Sequence, residues 1–256
     1  MLGLAPHTVD AYKSGNGTIV PGGSISIQEP RTATNVSVAW LRDASTAVIA
    51  FQGSQLGPNW LSNFRAWLNR DLLSPVLDVD FPGARVDLSL LDSLLAVTTN
   101  AASPEYSILN ALNTLNGGAL PAHVIVTGHS LGGGLATLGA VWATLQWPEA
   151  DITSVILGAP QSGNVQWAQA YKELVGNQYR FIYLEDIVPS LPPLDSHAPV
   201  GDGTWAPNTD EWLLEDRPRM PFNQYNWDDH PCELYKSALF RVSNVTAPSF
   251  ITTAAL

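Results

Sequence analysis

The segment from His123 to Gly132, His-Val-Ile-Val-Thr-Gly-His-Ser-Leu-Gly, admits very few local structures. Its Val-Ile-Val-Thr run is β-branched and reads as a buried strand. Leu131, Leu135, Leu138, Val141, Trp142 and Leu145 then recur at helical spacing until Pro148 stops the pattern. Between the two lies Gly128-His129-Ser130-Leu131-Gly132, which fits Gly-x-Ser-x-Gly. A strand that turns so tightly into a helix leaves no room for neighbouring side chains, hence glycine at both flanks. The turn holds Ser130 exposed at the carboxyl edge of a sheet. Below it, the helix N-terminus offers unpaired N–H groups and a positive dipole end. Ser130 is therefore the candidate nucleophile, and the backbone N–H of Leu131 is aimed at a developing oxyanion.

A serine hydroxyl is a weak nucleophile until a histidine takes its proton and an acid orients that histidine. The histidines are His7, His123, His129, His197 and His230. His7 is at the start of the chain, and His123 opens the strand at the wrong end of the sheet. His129 sits on the elbow itself, with its side chain expected to point elsewhere. His197 and His230 both follow the serine, as the order Ser…Asp…His requires. Asp186 comes just after a strand read at Tyr179–Leu184, so it also reaches the carboxyl edge. From Asp186 the chain has a long loop in which to return to His230, which is favoured over His197. Ser54 ends the segment Phe51-Gln52-Gly53-Ser54 after a short apolar run; taken alone it is only a turn residue.

Elsewhere the first fifty residues look β-rich, with Val36, Val38 and Trp40 alternating and Ala47 to Phe51 apolar. Helices are expected around Leu88–Val97, Tyr106–Leu115 and Val165–Val175, and a further strand at Ile152–Leu157. Strands alternating with helices imply an α/β fold, a mostly parallel central sheet with helices on both faces. Residues 185–233 hold eleven of the twenty-three acids and eight of the nineteen prolines, with Trp205, Trp212 and Trp227. This stretch is too aromatic for a disordered tail and reads as an ordered acidic, aromatic loop region. No repeat or second domain is evident, so residues 1–256 are expected to form one domain.

A segment at 55–70 stands apart. On a helical wheel Leu56, Trp60, Leu61, Phe64, Trp67 and Leu68 fall within an arc of about 140°. The opposite side is polar, and Pro58 suits a first helical turn.

Composition excludes several partners. Hydrophobic residues make up 45% and charged residues 14%, ample for a sizeable core. A net charge of −11 repels phosphate backbones, so nucleic acid is a poor partner. Cys232 is the one cysteine, so no intrachain disulfide forms. No apolar run reaches the roughly 20 residues needed to span a bilayer. The N-terminus lacks the basic start of a signal peptide, so the chain is expected to be soluble as given, with a removed leader compatible with it. Compartment, source and oligomeric state are not encoded in these features.

Five ordered motifs between Ala47 and Tyr235 resemble the class 3 lipases, the family of the filamentous-fungal triacylglycerol lipases. Phe51-Gln52-Gly53-Ser54 with Asn59-Trp60 is similar to the family's oxyanion segment and the start of its lid. Val126 to Gly133 matches its nucleophile motif nearly letter for letter. Gly158-Ala159-Pro160-Gln161-Ser162-Gly163-Asn164 is similar to its Gly-x-Pro-x-x-Gly-Asn turn. Glu185 to Pro193 resembles its acid motif, and Asp229-His230 with Tyr235 its histidine segment. The resemblance implies an α/β-hydrolase fold, a triad of Ser130, Asp186 and His230, and oxyanion donors Leu131 and Ser54. It also implies ester hydrolysis through an acyl-enzyme, with no cofactor and no metal. It makes 55–70 a candidate lid, whose Leu56, Trp60, Leu61, Phe64 and Trp67 would meet an acyl ester or lipid, with an oil–water interface as one setting. Gln52 departs from the family's usual basic residue. A lipase acting on acylglycerols is the leading expectation. A carboxylesterase or feruloyl-type esterase on soluble esters is the alternative, and a non-catalytic binding protein on the same fold comes third.

Overall fold

The structure, a computed structural model, describes residues 23–41, 45–54, 72–73, 82–99, 101–191, 211–213 and 226–246. The segment 55–70, with Leu56, Trp60, Leu61, Phe64 and Trp67, lies outside these residues. So do His7, His197, Trp205 and most of the loop region 185–233.

A seven-stranded sheet organises the described chain, in the order β1-β2-β3-β6-β7-β8-β9. Strands β1 (Ser24–Glu29), β2 (Thr34–Leu41) and β3 (Thr46–Phe51) form an antiparallel meander. From β3 onward the pairing is parallel, through β6 (His123–His129), β7 (Asp151–Leu157), β8 (Asn177–Ile182) and β9 (Glu211–Leu213). Two-residue strands β4 (Leu72–Leu73) and β5 (Val86–Asp87) pair separately. Every residue of β3 is buried, as expected for a strand covered on both faces.

Alternation along the strands divides the core in two. Ala47, Ile49, Phe51, Val124 and Val126 face one side. There they pack with α1 (Leu88–Val97), α2 (Ile108–Asn116), α3 (Leu131–Gln146) and α4 (Val165–Leu174). Val48, Val155, Leu157 and Phe181 face the other side, against Tyr235, Ala238 and Leu239 of α5 (Cys232–Thr246). The fold is thus an α/β-hydrolase type with a mostly parallel sheet and helices on both faces.

Local signals set the ends of the helices. The carboxylate of Asp87 accepts from the N–H groups of Ser89 and Leu90 and caps α1. Ser107 caps α2 by accepting from Asn110 N–H, so the expected helix start at Tyr106 becomes a 3-10 turn, Pro104–Tyr106, ahead of it. Asn164 caps α4 through Trp167 N–H. Strand β8 begins two residues before the expected Tyr179, because its pairing with β7 starts at Asn177. It ends at Ile182, short of the expected Leu184, whose positive φ of 44° cannot continue a strand. Within the acidic loop region, Glu211–Leu213 adds an edge strand that composition did not foretell. No helix among the described residues is long and apolar enough to cross a membrane.

Candidate active site

Ser130 links β6 directly to α3, with φ 58° and ψ −130°, a left-handed conformation rare for a residue with a Cβ. The surrounding packing enforces it. A Cβ on Gly128 would collide with the carbonyl of Gly132. A Cβ on Gly132 would run into the backbone of Phe51, Gln52 and Gly53. Helix α3 therefore starts in direct contact with the end of β3, which brings Leu131 beside the segment leading to Ser54. Leu131 opens the helix, where an N–H has no acceptor within that helix. Ser54 lies half-buried at the end of the same segment.

The other two sequence candidates converge on this elbow. His230 Nε2 lies 2.8 Å from Ser130 Oγ, and His230 Nδ1 lies 2.8 Å from Asp186 Oδ2. A carboxylate only accepts, so Nδ1–H donates to Asp186, and Nε2 is left to accept the serine proton. Ser130 is buried rather than exposed as the sequence led one to expect, because the segments that carry the other two residues close over the elbow: fractional exposure is 3% for Ser130, 1% for His230 and 0% for Asp186. Burying a carboxylate is costly unless donors surround it. Among the described residues Asp186 has three: His230 Nδ1–H, the Tyr235 hydroxyl at 2.6 Å and the Val188 N–H at 2.9 Å. Burial and the charge of Asp186 push the Tyr235 hydroxyl well above its ordinary pKa, so it stays a donor.

Asp186 and His230 come from different loops, and main-chain bonds fasten those loops together. Ile187 N–H donates to Asn226 O, and Asn226 N–H donates to Glu185 O. Asp229 Oδ2 accepts from Glu185 N–H and from the Asn226 side-chain amide, both at 3.1 Å. Asp229 N–H in turn donates to Asn226 Oδ1. The buried Arg180 guanidinium on β8 donates to Ala159 O and Pro189 O, bracing the turn after β7 against the acid loop.

Three of these contributors were not given roles by the sequence. Tyr235 stood in a motif without a task. Asn226 and Asp229 form bonds between segments that no local pattern announces. His129 corrects an expectation: its ring does not point elsewhere but stacks on His230, centroids 4.6 Å apart, with Nε2 2.8 Å from the His230 carbonyl oxygen. The elbow turns the Ser130 side chain one way, and the strand pleat sends its predecessor beneath the base. Among the described residues, no group of three or more His, Cys, Asp or Glu side chains could hold a metal ion.

Residues 48–196, more than half of the chain, match the family described as Lipase (class 3). The chain is 27% identical over 170 residues to the secreted mono- and diacylglycerol lipase 1 of Fusarium solani, covering 66% of this chain and 46% of that protein. It is 25% identical over 166 residues to the chloroplastic phospholipase A1-Igamma2 of Arabidopsis thaliana, covering 57% of this chain and 30% of that protein. The chain thus spans less than half the length of these curated relatives. Among solved structures, a triacylglycerol lipase from Penicillium expansum superposes with a TM-score of 0.63 at 21% identity, over 82% of this chain and 75% of that one. That likeness is one of fold. The Rhizomucor miehei triacylglyceride lipase gives a TM-score of 0.54 at 25% identity, over 75% of this chain and 65% of that one.

Proposed function

Because the chain belongs to the class 3 lipase family, we propose that it is a serine-dependent carboxylic ester hydrolase, a lipase that cleaves acylglycerols through an acyl-enzyme. The observation that carries the reading is the buried relay Ser130–His230–Asp186, with both links at 2.8 Å. In this mechanism His230 Nε2 takes the proton of Ser130 as its oxygen attacks the ester carbonyl. The oxyanion leans on the Leu131 N–H and on Ser54. As the tetrahedral intermediate collapses, His230 gives its proton to the departing alcohol oxygen. Water, deprotonated by the same histidine, then releases the acid and restores Ser130. The Asp186 carboxylate orients the imidazole and offsets the imidazolium charge. The chain's own side chains suffice for every step, so no cofactor or metal is invoked.

The segment 55–70 is proposed as the lid. It follows Ser54 directly, and an acyl chain must gain access to a serine that is 3% exposed. In water the apolar face of Leu56, Trp60, Leu61, Phe64 and Trp67 would cover the site. At an oil–water interface it would turn outward into lipid. Acylglycerols are favoured over soluble esters because the Fusarium relative is named for them.

The test is hydrolysis of p-nitrophenyl esters from short to long acyl chains, with emulsified triglyceride and methyl ferulate beside them and Ser130→Ala as the control. A lipase prefers the longer chains and the emulsion. Preference for methyl ferulate or short soluble esters would favour the esterase alternative. Equal rates for wild type and Ser130→Ala would remove the enzyme reading altogether.

A further inference from the structure

His129 is buried, and its ring has a definite chemical state. Nε2 lies 2.8 Å from a backbone carbonyl oxygen, which can only accept, so Nε2 carries a proton. Burial first, and the neighbouring His230 second, hold the ring well below the ordinary histidine pKa. It is thus the neutral Nε2–H tautomer. Its flat face lies against the His230 ring at 4.6 Å between centroids and 30° between planes, and its edge meets Tyr235 at 5.4 Å.

We propose that His129 is a positioning residue for His230: its Nε2–H holds the His230 main chain while its ring fixes the plane of the base facing Ser130. The inference rests on the catalytic reading above. Its reason is mechanical. The Asp186 bond fixes only Nδ1 of His230, and the ring could still tip about that anchor. The His230 backbone sits in a turn, with its N–H on Trp227 O at 3.2 Å, and is followed by Pro231, which has no N–H to donate. The bond from His129 adds a direct tie between this main chain and the last residue of β6, which pairs with Leu157 in the sheet. Base and nucleophile are then referred to two adjacent residues, His129 at the end of β6 and Ser130 on the elbow that follows it. The distance between them no longer depends on the long loop alone.

The charge state belongs to the device. During the reaction His230 becomes a cation between the Asp186 carboxylate and the His129 ring. A neutral ring there leaves that cation unopposed, whereas a second cation at this distance would work against it. The other groups around the pair do not reverse this. Tyr235 on α5 donates to Asp186. Arg180 on β8 donates to the carbonyls of Ala159 and Pro189 and keeps its positive charge, which makes a second cation at His129 still less favourable. Asp229, next in the chain, is turned toward Glu185 N–H and Asn226.

The experiment measures the rate at which a p-nitrophenyl alkylphosphonate inactivates the protein, with kcat and KM on a soluble ester in parallel. In the inactivation the Ser130 oxygen bonds to phosphorus and p-nitrophenolate leaves. His129→Phe keeps a ring but has no N–H; His129→Gln keeps an N–H but no ring system. Loss of one buried hydrogen bond predicts inactivation and kcat about tenfold slower for His129→Phe, with KM unchanged. His129→Gln keeps the donor but loses the stacked ring, so it is expected about threefold slower than wild type, a partial rescue relative to His129→Phe. A His129→Phe protein as fast as wild type would overturn the proposal, and so would His129→Gln as slow as His129→Phe. Nitrogen-15 imidazole spectra of the wild-type protein test the same point without any variant. They should show His129 neutral and protonated at Nε2 at the pH of half-maximal activity; a cationic ring or the Nδ1–H tautomer overturns the inference. If wild type itself is not inactivated and Ser130→Ala behaves identically, the catalytic reading has failed instead.

Discussion

Tyr235 and His129 both meet the buried relay, and each carries a testable consequence. Tyr235→Phe removes one of three donors to a carboxylate with no exposure. Leaving a charged acceptor short of a donor costs about 1–3 kcal/mol, to be read as a lower urea midpoint with an unchanged slope. A midpoint equal to wild type would mean that the hydroxyl does not satisfy Asp186. The pH response of stability follows from His129, whose folded pKa lies well below that of the unfolded chain. As pH falls below about 6.5 the unfolded chain gains a proton there that the folded chain refuses. The unfolded state then binds more protons, so stability is full above that value and falls as the solution becomes more acid. His129→Gln should unfold with a shallower acid slope between pH 7 and 5 in paired urea titrations. Identical slopes would show that the ring titrates freely in the fold. The convergence of Ser130, Asp186 and His230 was largely legible in the sequence, because each follows a recognisable strand or motif. The role of His129 was not, since which way a side chain leaves an elbow depends on what is packed beneath it.

Elements were readable where one-dimensional patterns mirror burial. The β3 run from Thr46 to Phe51 and the β6 run from His123 are apolar or β-branched because both sheet faces are covered. Boundaries were less legible, since β8 is framed by its pairing with β7 and by the backbone turn at Leu184 rather than by its own residues. Helix α5 was missed. Its Tyr235, Ala238 and Leu239 form a narrow apolar stripe in a polar sequence, and it is stabilised by packing on the second sheet face. The clasp between the acid loop and the turn before His230 is long-range and equally silent. Asp229→Ala should loosen it by removing acceptors for Glu185 N–H and Asn226. We expect kcat to fall about tenfold with little change in KM, as for loss of orientation rather than of binding. A rise in KM alone would place Asp229 in substrate binding.

For the whole molecule, a net charge of −11 leaves apolar contact as the means of holding a lipid surface. The proposed lid supplies it. Trp60→Ser with Phe64→Ser should reduce hydrolysis of emulsified triglyceride much more than that of a soluble short-chain ester. Equal losses on both, or no rise in wild-type rate as substrate passes its solubility limit, would argue for a plain esterase. All of this depends on Ser130 becoming acylated. The most direct measurement is rapid mixing of the protein with a p-nitrophenyl ester, followed by acid quench and mass mapping of the modified peptide. The expected result is a burst of one equivalent of p-nitrophenol per active site, the acyl group on Ser130, and neither signal in Ser130→Ala. Ester hydrolysis with no burst and no adduct, at a rate unchanged in Ser130→Ala, would contradict it.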